Sequence, residues 1–477
     1  MDRKKRWAAT AAFLAASTLA ASAGIAFVAS RRTLDQPTRD RRSAPNVLII
    51  VTDDQRTDTL DVMPALRRWF MDGGVHFTRG YVTTPLCCPS RASIFTGRYA
   101  HNHGVKKNHV TKQFDFDSTI QHRLRSAGYN TAIVGKYFND WTLARNPADF
   151  DRWAVAGGRY RGVRANLDGS IKNVEKYSTA FVEEYAVRFL RDFEQQDSTP
   201  WLLYVAPNAP HPPFTPEARY SDAPVPAWHP APNIEEPDVT DKPEFVSELR
   251  GGPRFPSELE SEDPTETGRQ VRALQLRTLM SVDDLVTAIF TELRRSGEIS
   301  NTLAFFVSDN GYLWGEHGAI GKRLPYRESV RVPFFVRYPG RLPEGATDDR
   351  LVANIDIAPT IVDAAGLEAD EDSAFDGMSL LQEKRRRHLY IEEFGSRVKQ
   401  RPRWRGIIAD RYRFTVYSAL GPGEGRFLEY YRLDRDPYEL RNVLAGGDRS
   451  NDLGAPRIAR LMTLLRRYAR CSGEQCP

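Results

Sequence analysis

The chain has 477 residues, of which 41% are hydrophobic and 27% charged, and its formal net charge at pH 7 is +5. These proportions are typical of a globular protein with a deep core, and they exclude a disordered chain, a collagen-like repeat and a polytopic membrane protein. Basic and acidic residues are interspersed along the sequence without a basic cluster, so no nucleic-acid partner is expected.

The first thirty residues have the pattern of a targeting segment. A basic start, Arg3–Arg6, precedes the uncharged and alanine-rich run Trp7–Ser30. The small residues 21–23 provide a cleavage site within this run. We therefore expect residues 1–30 to be a signal peptide or an N-terminal anchor, followed by a polar linker over residues 31–44. The protein is expected to be exported and then secreted, periplasmic or associated with the cell envelope.

Four continuous apolar runs are typical of strands that are buried on both faces of a parallel sheet. In chain order they are Asn46–Val51, Thr131–Val134, Trp201–Val205 and Leu303–Val307. Helices are predicted over Pro89–Thr96 and around Leu279–Leu293, where apolar residues recur at helical spacing. Strands that alternate with helices indicate an α/β fold with a large, mostly parallel sheet.

The domain organisation follows from changes in composition along the chain. Residues 45–375 hold the predicted strands and form the main domain. Within it, residues 207–268 are rich in proline and lack periodicity, which predicts an ordered wall or lid of a pocket. From residue 376 the segments become shorter and richer in Tyr and Arg, namely Tyr390–Glu393, Tyr412–Val416 and Phe427–Leu433. Residues 376–477 are therefore expected to form a smaller subdomain, an antiparallel sheet with a final helix over Ile458–Tyr468.

Polar side chains follow the predicted strands at their carboxyl ends, which is where α/β sheets bind ligands. They are Asp53 and Asp54, Lys136, His211, Asp309 and Asn310. The three carboxylates and the amide form an all-oxygen set, which suits Ca²⁺ or Mg²⁺ better than zinc. Either pair alone is explained as readily by helix capping or by a turn. Two such pairs after two buried strands favour a metal site.

The chain has four cysteines, Cys87, Cys88, Cys471 and Cys476. The last two could close a small loop near the C-terminus, whereas adjacent cysteines rarely bridge because the geometry is strained. Cys87 lies just before a predicted helix N-terminus, where the helix dipole favours an anion, and Arg91 adds a positive charge one turn later. This setting fits a thiol nucleophile, with Ser90 as a competing candidate. The alternative is that both thiols are buried as small hydrophobic groups.

Residues Pro85–Gly97 resemble the first signature of the type I sulfatase family along its whole length, with the core Cys-x-Pro-x-Arg at residues 87–91. Gly128–Lys136 is similar to most of the family's second signature. Further blocks follow in the family's order: Asp53-Asp54, Ala209–Pro212, Ser308–Gly311, Gly321-Lys322, Val330–Pro333 and Tyr431–Glu439. On these motifs the chain is identified as a member of the formylglycine-dependent sulfatases. The resemblance implies an alkaline-phosphatase-like fold, in which helices sandwich the large sheet and a smaller antiparallel sheet follows.

The resemblance implies a sulfuric ester hydrolase whose nucleophile is made from Cys87. A formylglycine-generating enzyme would oxidise Cys87 to Cα-formylglycine (3-oxoalanine), and one hydroxyl of the hydrated aldehyde would attack the sulfur atom of the substrate. Deprotonation of the second hydroxyl would then release sulfate and restore the aldehyde. Ca²⁺, with Mg²⁺ as the alternative, would activate the hydroxyl. The implied metal ligands are Asp53, Asp54, Cys87, Asp309 and Asn310.

The resemblance also assigns four basic side chains to the substrate. Arg91 and Lys136 would hold the diol and the sulfate. Lys322 and His211 would face the leaving oxygen, one of them as the proton donor. The chain departs from the family at Asn139, because resembling enzymes have at this position the histidine that acts as base for sulfate elimination. Asn139 can hydrogen-bond the diol but cannot act as a base near neutral pH, so the base stays unassigned.

Three further histidines and the doubled cysteine refine this picture. His101 and His103 either supply the missing base or, as is more common for such residues, have a structural role. His317 either lines the pocket or pins a loop. The doubled cysteine, together with Gly-Lys-Tyr-x-Asn at residues 135–139, resembles the N-acetylglucosamine-6-sulfatase branch. A sulfated small molecule or glycan is therefore the implied substrate: either an aryl sulfate or, as this likeness favours, a sugar O-sulfate such as glucosamine 6-sulfate.

Two other functions stay open at the level of the sequence. A phosphonate monoester or phosphodiester hydrolase would use the same site, because its substrates share the tetrahedral geometry and charge of a sulfate ester. A non-catalytic glycan-binding protein would keep Cys87 as a thiol and use the metal structurally. The three side chains Lys136, His211 and Lys322 argue against a binding protein, because a binder needs no proton donor.

Overall fold

The computed structural model describes residues 44–109, 111, 114–195, 199–248, 259, 263–368, 374–395, 402–418, 426–445 and 454–476. These residues belong to one compact unit, Asp40–Pro477. The predicted signal peptide or anchor and residues 31–43 of the predicted linker lie outside the described residues, and Ala44 is buried. Within the described ranges, no helix is long and apolar enough to cross a membrane.

The described residues form eighteen strands and ten α-helices. The strands are β1 (Asn46–Thr52), β2 (Val75–Phe77), β3 (Gly80–Tyr81), β4 (Asn130–Gly135), β5 (Arg152–Ala156), β6 (Val163–Leu167), β7 (Ser170–Val174), β8 (Trp201–Ala206), β9 (Thr302–Ser308), β10 (Leu313–Trp314), β11 (Ile320–Gly321), β12 (Phe334–Arg337), β13 (Ala346–Asp348), β14 (Val352–Ala353), β15 (Leu389–Glu393), β16 (Trp404–Ile408), β17 (Arg413–Tyr417) and β18 (Phe427–Tyr431). The helices are α1 (Pro64–Leu66), α2 (Cys87–Thr96), α3 (Ala100–His103), α4 (Ile120–Ser126), α5 (Ser178–Glu194), α6 (Glu244–Glu248), α7 (Pro264–Ser296), α8 (Arg327–Val330), α9 (Ile357–Ala365) and α10 (Ala455–Tyr468).

The large sheet has ten strands in the order β13-β2-β12-β9-β1-β8-β4-β5-β6-β7. Its five central strands, from β9 to β5, pair in parallel. On one side β12 and β2 continue the sheet with antiparallel pairs, and on the other side β6 and β7 do the same. The predicted fold class, a large mixed sheet that is mostly parallel at its centre, is confirmed.

Helices cover both faces of this sheet. Successive residues of a strand point to opposite faces. Val47, Ile49 and Val51 of β1 accordingly lie in one core with residues of α2, α4 and α9. Leu48 and Ile50 lie in a second core with residues of α5 and α7. Because both faces are covered by helices, the central strands are apolar at nearly every position, which is why they could be predicted from continuous apolar runs.

The C-terminal part forms a second, antiparallel sheet in the order β15-β16-β17-β18. Leu461, Leu465 and Tyr468 of α10 lie in one hydrophobic core with residues of this sheet. The sequence predicted the small sheet and the final helix, although β16 was missed and α10 begins at Ala455, three residues before the predicted start. Cys471 and Cys476 follow α10 and form a disulfide.

Two helix starts differ from the prediction. Helix α2 begins at Cys87, so Cys87 is its first residue and does not precede the helix. Pro89 is tolerated inside this first turn because the first N–H groups of a helix have no partner within the helix. Helix α7 begins at Pro264, where Asp263 caps it by accepting a hydrogen bond from the N–H of Thr265 at 2.8 Å. The irregular stretch predicted to end at residue 268 therefore ends at residue 263.

Candidate active site

The two acidic strand ends lie side by side at the carboxyl edge of the large sheet. Strands β1 and β9 pair in parallel with Thr52 opposite Ser308, so the residues that follow them come together. The N–H of Asp54 donates to Oδ1 of Asp309 at 3.3 Å, and Nδ2 of Asn310 donates to Oδ1 of Asp54 at 2.5 Å. All of these side chains are buried. The sheet register thus joins two pairs that are more than 250 residues apart in sequence.

Cys87 lies directly beside this cluster, at the N-terminus of α2. Its Sγ is 3.6 Å from Oδ1 of Asp53 and 3.0 Å from Nζ of Lys322. Burial, together with the negative charge of Asp53, raises the pKa of the Cys87 thiol to about 11, although Lys136 and Lys322 oppose the shift. The unmodified side chain is therefore a protonated thiol at neutral pH, and a thiolate nucleophile is not favoured here.

Three cationic side chains balance the three carboxylates. Arg91 donates to Oδ2 of Asp309 at 2.8 Å and to Oδ2 of Asp53 at 3.4 Å. Nζ of Lys136 also donates to Asp53, and Nζ of Lys322 donates to Asp54. Burial would lower the pKa of both lysines, but the neighbouring carboxylates outweigh it and hold both pKa values above their usual 10.5. The site is therefore a dense array of fixed charges.

His211 reaches the same cluster from the loop after β8. Its Nε2 is 3.9 Å from Oδ2 of Asp54, and its Nδ1 faces the carbonyl oxygen of Pro212 at 2.7 Å. A carbonyl oxygen can only accept, so Nδ1 holds a proton and Nε2 is the nitrogen that can exchange one. The hydroxyl of Tyr160 donates to the backbone carbonyl of His211 and fixes this loop. The side chain of His211 is 27% exposed, so it lies on the solvent side of the site.

The oxygen cluster fits a hard divalent cation. The carboxylate oxygens of Asp53, Asp54 and Asp309 and the Sγ of Cys87 lie within 4.8 Å of one another. Oδ2 of Asp54 is buried without a hydrogen-bond partner, and such a group is costly unless something binds it. The backbone of Asp54 adopts a left-handed conformation, with φ of 71°, that few side chains tolerate. Oxygen donors without His favour Ca²⁺ or Mg²⁺.

Several residues that the sequence offered as candidates lie away from this cluster or are held by other contacts. The hydroxyl of Ser90 accepts a hydrogen bond from Nδ2 of Asn354 at 2.8 Å. Ser90 is therefore bound to a residue outside the acidic cluster. His103 is buried between Ser93 and the N–H of Val105, and burial, reinforced by the positive charge of His101, lowers its pKa to about 3. It is a neutral, structural histidine.

His101 and His317 connect separate parts of the fold. Nδ1 of His101 pairs with Glu392 of β15 at 2.8 Å. His317 is fully buried, and its Nδ1 lies 2.6 Å from Oε2 of Glu236 in the proline-rich stretch. Its backbone N–H donates to the carbonyl of Asn233 in the same stretch at 2.6 Å. Of the two alternatives for His317, the structure therefore supports pinning of a loop.

Asn139 contacts Cys88 and not Cys87. Its backbone N–H donates to Sγ of Cys88 at 3.1 Å, and the Cys88 thiol donates to its Oδ1 at 3.3 Å. Asn139 itself is exposed, whereas both cysteines are completely buried. The predicted hydrogen bond from Asn139 to the diol stays a prediction, while its contact with the second cysteine was not foreseen.

Sequence reasoning missed two polar residues beside the site. Asn108, in the loop after α3, accepts a hydrogen bond from the N–H of Cys88 at 3.0 Å, and no local motif marks it. Gln275 of α7 is completely buried and donates to the carbonyl oxygen of Pro210 at 3.2 Å. The sequence does contain a sign of Gln275: it lies one turn before Leu279, so it is a polar residue on the otherwise apolar face of the helix.

The fold and the site define an α/β protein whose polar centre lies at the carboxyl ends of parallel strands. Comparison with known proteins gives the family. The family described as Sulfatase matches residues 45–367, and that described as N-sulphoglucosamine sulphohydrolase, C-terminal, matches residues 315–462. Since the first match covers more than half of the chain, this chain belongs to the sulfatase family.

Relatives with established names agree with this assignment. The chain is 33% identical over 360 residues to the human N-acetylglucosamine-6-sulfatase, across 71% of the chain and 64% of the relative. It is 33% identical over 367 residues to an extracellular sulfatase homologue from Drosophila melanogaster, across 72% of the chain and 31% of the relative. The chain thus spans less than two thirds of the length of both relatives.

A solved structure extends the comparison to the whole fold. A protein in complex with its substrate, D-glucosamine-2-N,6-O-disulfate, superposes with a TM-score of 0.75 at 25% identity. The match covers 89% of this chain and 97% of that one. The resemblance to sulfatases related to the N-acetylglucosamine-6-sulfatases, noted in the sequence, is confirmed.

Proposed function

We propose that this protein hydrolyses sulfate esters, with a hydrated Cα-formylglycine made from Cys87 as the nucleophile. The observation that carries the proposal is the setting of Cys87. Its Sγ lies at a helix N-terminus between Asp53 and Lys322, in a buried array of three carboxylates and three cations. A buried thiol that stays protonated is a poor nucleophile, which supports a chemical change of this side chain before catalysis.

The chain's own residues suit the steps that a sulfate ester requires. Formylglycine would supply the nucleophilic oxygen, and Ca²⁺, held by Asp53, Asp54, Asp309, Asn310 and the modified residue 87, would supply positive charge for it. Arg91 and Lys136 keep their positive charge next to the nucleophile and neutralise an anionic group bound there.

Proton transfer to the leaving oxygen falls to Lys322 or His211. Lys322 contacts the Sγ of Cys87 and is held protonated by Asp54. It carries a proton to donate, but its raised pKa makes it a weak acid. Nε2 of His211 faces the cluster from the solvent side, and an imidazole can both accept and donate a proton. We therefore assign the proton donor to His211 and electrostatic stabilisation to Lys322.

We further propose that the substrate is a sugar O-sulfate such as glucosamine 6-sulfate. The support is the likeness to N-acetylglucosamine-6-sulfatase and to a protein that binds D-glucosamine-2-N,6-O-disulfate as its substrate. We also propose that the protein acts after export, having met a formylglycine-generating enzyme during maturation. The likeness to an extracellular sulfatase and the disulfide between Cys471 and Cys476, a bond typical of oxidising compartments, support export.

The proposal is tested by mass spectrometry of the peptide that contains Cys87, after expression with a formylglycine-generating enzyme. We expect a mass about 18 Da below that of the cysteine peptide, because the thiol is replaced by an aldehyde. The same preparation should release sulfate from 4-nitrophenyl sulfate and from D-glucosamine-2-N,6-O-disulfate.

Two outcomes would replace this proposal by one of its alternatives. Modified protein that cleaves a phosphonate monoester much faster than either sulfate ester would be a phosphorus ester hydrolase. Protein with unmodified Cys87 that binds the sulfated sugar without turnover would be a glycan-binding protein.

A further inference from the structure

The second cysteine of the doubled pair is the centre of a small hydrogen-bonded cluster, formed by Cys88, Asn108 and Asn139. Cys88 is a completely buried free thiol in the first turn of α2. Its backbone N–H contacts the side chain of Asn108, and its thiol contacts Asn139 and the carbonyl oxygen of Asn108. The mechanism proposed above uses none of these three residues.

The contact with Asn108 fixes the orientation of one amide group. The backbone N–H of Cys88 donates to Oδ1 of Asn108 at 3.0 Å. An N–H group can only donate, so the oxygen of this amide faces the helix and Nδ2 faces away from it. Among the described residues, Nδ2 of Asn108 has no hydrogen-bond acceptor.

The contact with Asn139 fixes a second amide in the same sense. The thiol of Cys88 has one proton and two acceptors within reach, of which Oδ1 of Asn139 at 3.3 Å is closer than the carbonyl oxygen of Asn108 at 3.5 Å. Sγ in turn accepts from the backbone N–H of Asn139 at 3.1 Å, so two contacts hold this residue. Nδ2 of Asn139 likewise has no acceptor in the part of the chain that the structure describes.

Both amides therefore direct their oxygen to Cys88, the chain neighbour of Cys87, and keep an N–H₂ group that can donate to a ligand. Cys87, the neighbour of Cys88, is completely buried, whereas Asn108 is half-buried and Asn139 is exposed. The two segments are also tied together, because the N–H of Thr111 donates to Oδ2 of Asp140 at 3.0 Å. The two donors thus lie on segments that are linked to each other, and both asparagines are at least partly accessible to solvent.

We propose that Asn108 and Asn139 bind the sugar part of the substrate through their Nδ2 groups, and that Cys88 is the positioning residue that orients both amides. The ligand groups are oxygen acceptors close to the scissile sulfate, such as ring or hydroxyl oxygens of a sulfated hexosamine. This inference rests on the proposed sulfatase function and deepens it. It also explains the presence of a second cysteine, Cys88, which formation of the nucleophile from Cys87 does not require.

The test compares two substrates that share the sulfate and differ in these acceptors. Kinetic constants are measured with D-glucosamine-2-N,6-O-disulfate and with 4-nitrophenyl sulfate, using protein whose formylglycine content at residue 87 has been determined by mass spectrometry. N108D and N139D keep the oxygen that faces Cys88 and remove the donor. The added charge affects both anionic substrates, so the informative quantity is the ratio of kcat/KM for the sugar to kcat/KM for the aryl ester.

We expect N108D and N139D each to lower this ratio about tenfold, mainly through KM for the sugar, which is the size of one lost hydrogen bond. N173D, an exposed change on β7, is the matched control and should leave the ratio unchanged. Equal losses for both substrates would overturn the proposal. If wild-type protein with formylglycine cleaves neither ester, the proposed function fails instead, so the two failures are distinguishable.

Variants of Cys88 test the positioning role separately. C88A should lower the ratio, and the double variant C88A/N139A should be no worse than N139A, because residues that act through one contact are not additive. C88S should restore most of the ratio, since a hydroxyl also has one proton and can accept. Additive losses in the double variant, or a C88A ratio equal to that of wild type, would overturn the role of Cys88.

Discussion

Nε of Arg91 donates a 2.8 Å hydrogen bond to Oδ2 of Asp309, and both side chains are completely buried. A second nitrogen of the same guanidinium donates to the carbonyl oxygen of Lys136 at 2.8 Å. One side chain of α2 thus connects the ends of β9 and β4. Burial and the charge of Asp53 raise the pKa of Asp309, and Arg91 opposes them. Removal of either member would leave the charge of the other buried without its partner, which destabilises the fold.

Asp309→Ala should lower both stability and metal affinity. Removal of the carboxylate leaves the Arg91 charge buried and less compensated, which we expect to reduce the free energy of unfolding by about 3 kcal/mol. Asp309→Asn should cost less, because the amide oxygen can still accept from Arg91. Urea unfolding measures both. Asp410→Ala is the control, because Asp410 forms an exposed pair with Arg79 and should matter by less than about 1 kcal/mol.

Calcium gives the second readout for Asp309. A ligand that binds only the folded state raises stability, so added Ca²⁺ should raise the urea midpoint of the wild-type protein. We expect a much smaller rise for Asp309→Ala and a loss of turnover in parallel. An undiminished calcium effect in this variant would remove Asp309 from the ligand set.

Cys87→Ala should abolish turnover and leave the fold intact. The side chain is small and fully buried, and the variant keeps Asp53 and Lys322 in place while it removes the cysteine of the Cys-x-Pro-x-Arg core. Cys87→Ser should be equally inactive in cells that modify only cysteine. Sulfate release and thermal unfolding are the measurements. Full activity in either variant would contradict the nucleophile proposed here.

Much of the fold could be predicted because the central strands are buried on both faces and are therefore apolar throughout. Strand β7 was missed for the opposite reason: it lies at the sheet edge, its residues are mostly exposed, and it has no apolar pattern. Strand β16 contains Arg405 and Gly406 within five residues and also lacks a strand pattern. Edge and short antiparallel strands are fixed by pairing with neighbours, which local composition does not record.

The candidate site divides in the same way. Asp53 and Asp309 were predicted because each follows a recognisable strand, and the sheet register then brings them together. Asn108 and Gln275 reach the site through the topology of the chain, from a loop and from a distant helix. The start of α2 at Cys87 was also missed, because Pro89 marks a helix start in sequence, whereas the first turn tolerates proline at several positions.

Gln275→Leu should reduce turnover as well as stability. Gln275 accepts a hydrogen bond from Nε1 of Trp314 at 2.6 Å and donates to the carbonyl oxygen of Pro210, next to His211. Leucine has a similar size but leaves both groups buried without this partner, which costs about 1 to 3 kcal/mol for each. Because the loop of His211 loses a support, we expect kcat for 4-nitrophenyl sulfate to fall about tenfold.

The control for this helix is Gln270→Leu, a half-buried position whose side chain hydrogen-bonds the exposed end of the same helix, at Glu266. It should change neither kcat nor the urea midpoint appreciably. If Gln275→Leu lowers the midpoint and leaves kcat unchanged, Gln275 supports the fold alone and does not position His211.

His101→Gln should destabilise the protein more in acid than in alkali. Nδ1 of His101 pairs with the buried carboxylate of Glu392 at 2.8 Å, and Nε2 faces the carbonyl oxygen of Cys471 at 3.3 Å. Burial lowers the pKa of His101, but the hydrogen bond and charge of Glu392 outweigh it and raise the pKa above its usual 6.5. A raised folded-state pKa means that the charged pair stabilises the fold fully below pH 6.5 and that this stabilisation is lost as the pH rises through the folded-state value.

The measurement is the difference in urea midpoint between wild type and variant, taken from mildly acidic to alkaline pH. We expect the difference to be largest at the acidic end and to shrink as His101 loses its proton. His229→Gln, at an exposed position, should show no such trend. A difference that grows with pH would have the wrong sign for a raised pKa. It would mean that His101 is neutral in the folded protein and contacts β15 and the C-terminal disulfide loop through neutral hydrogen bonds.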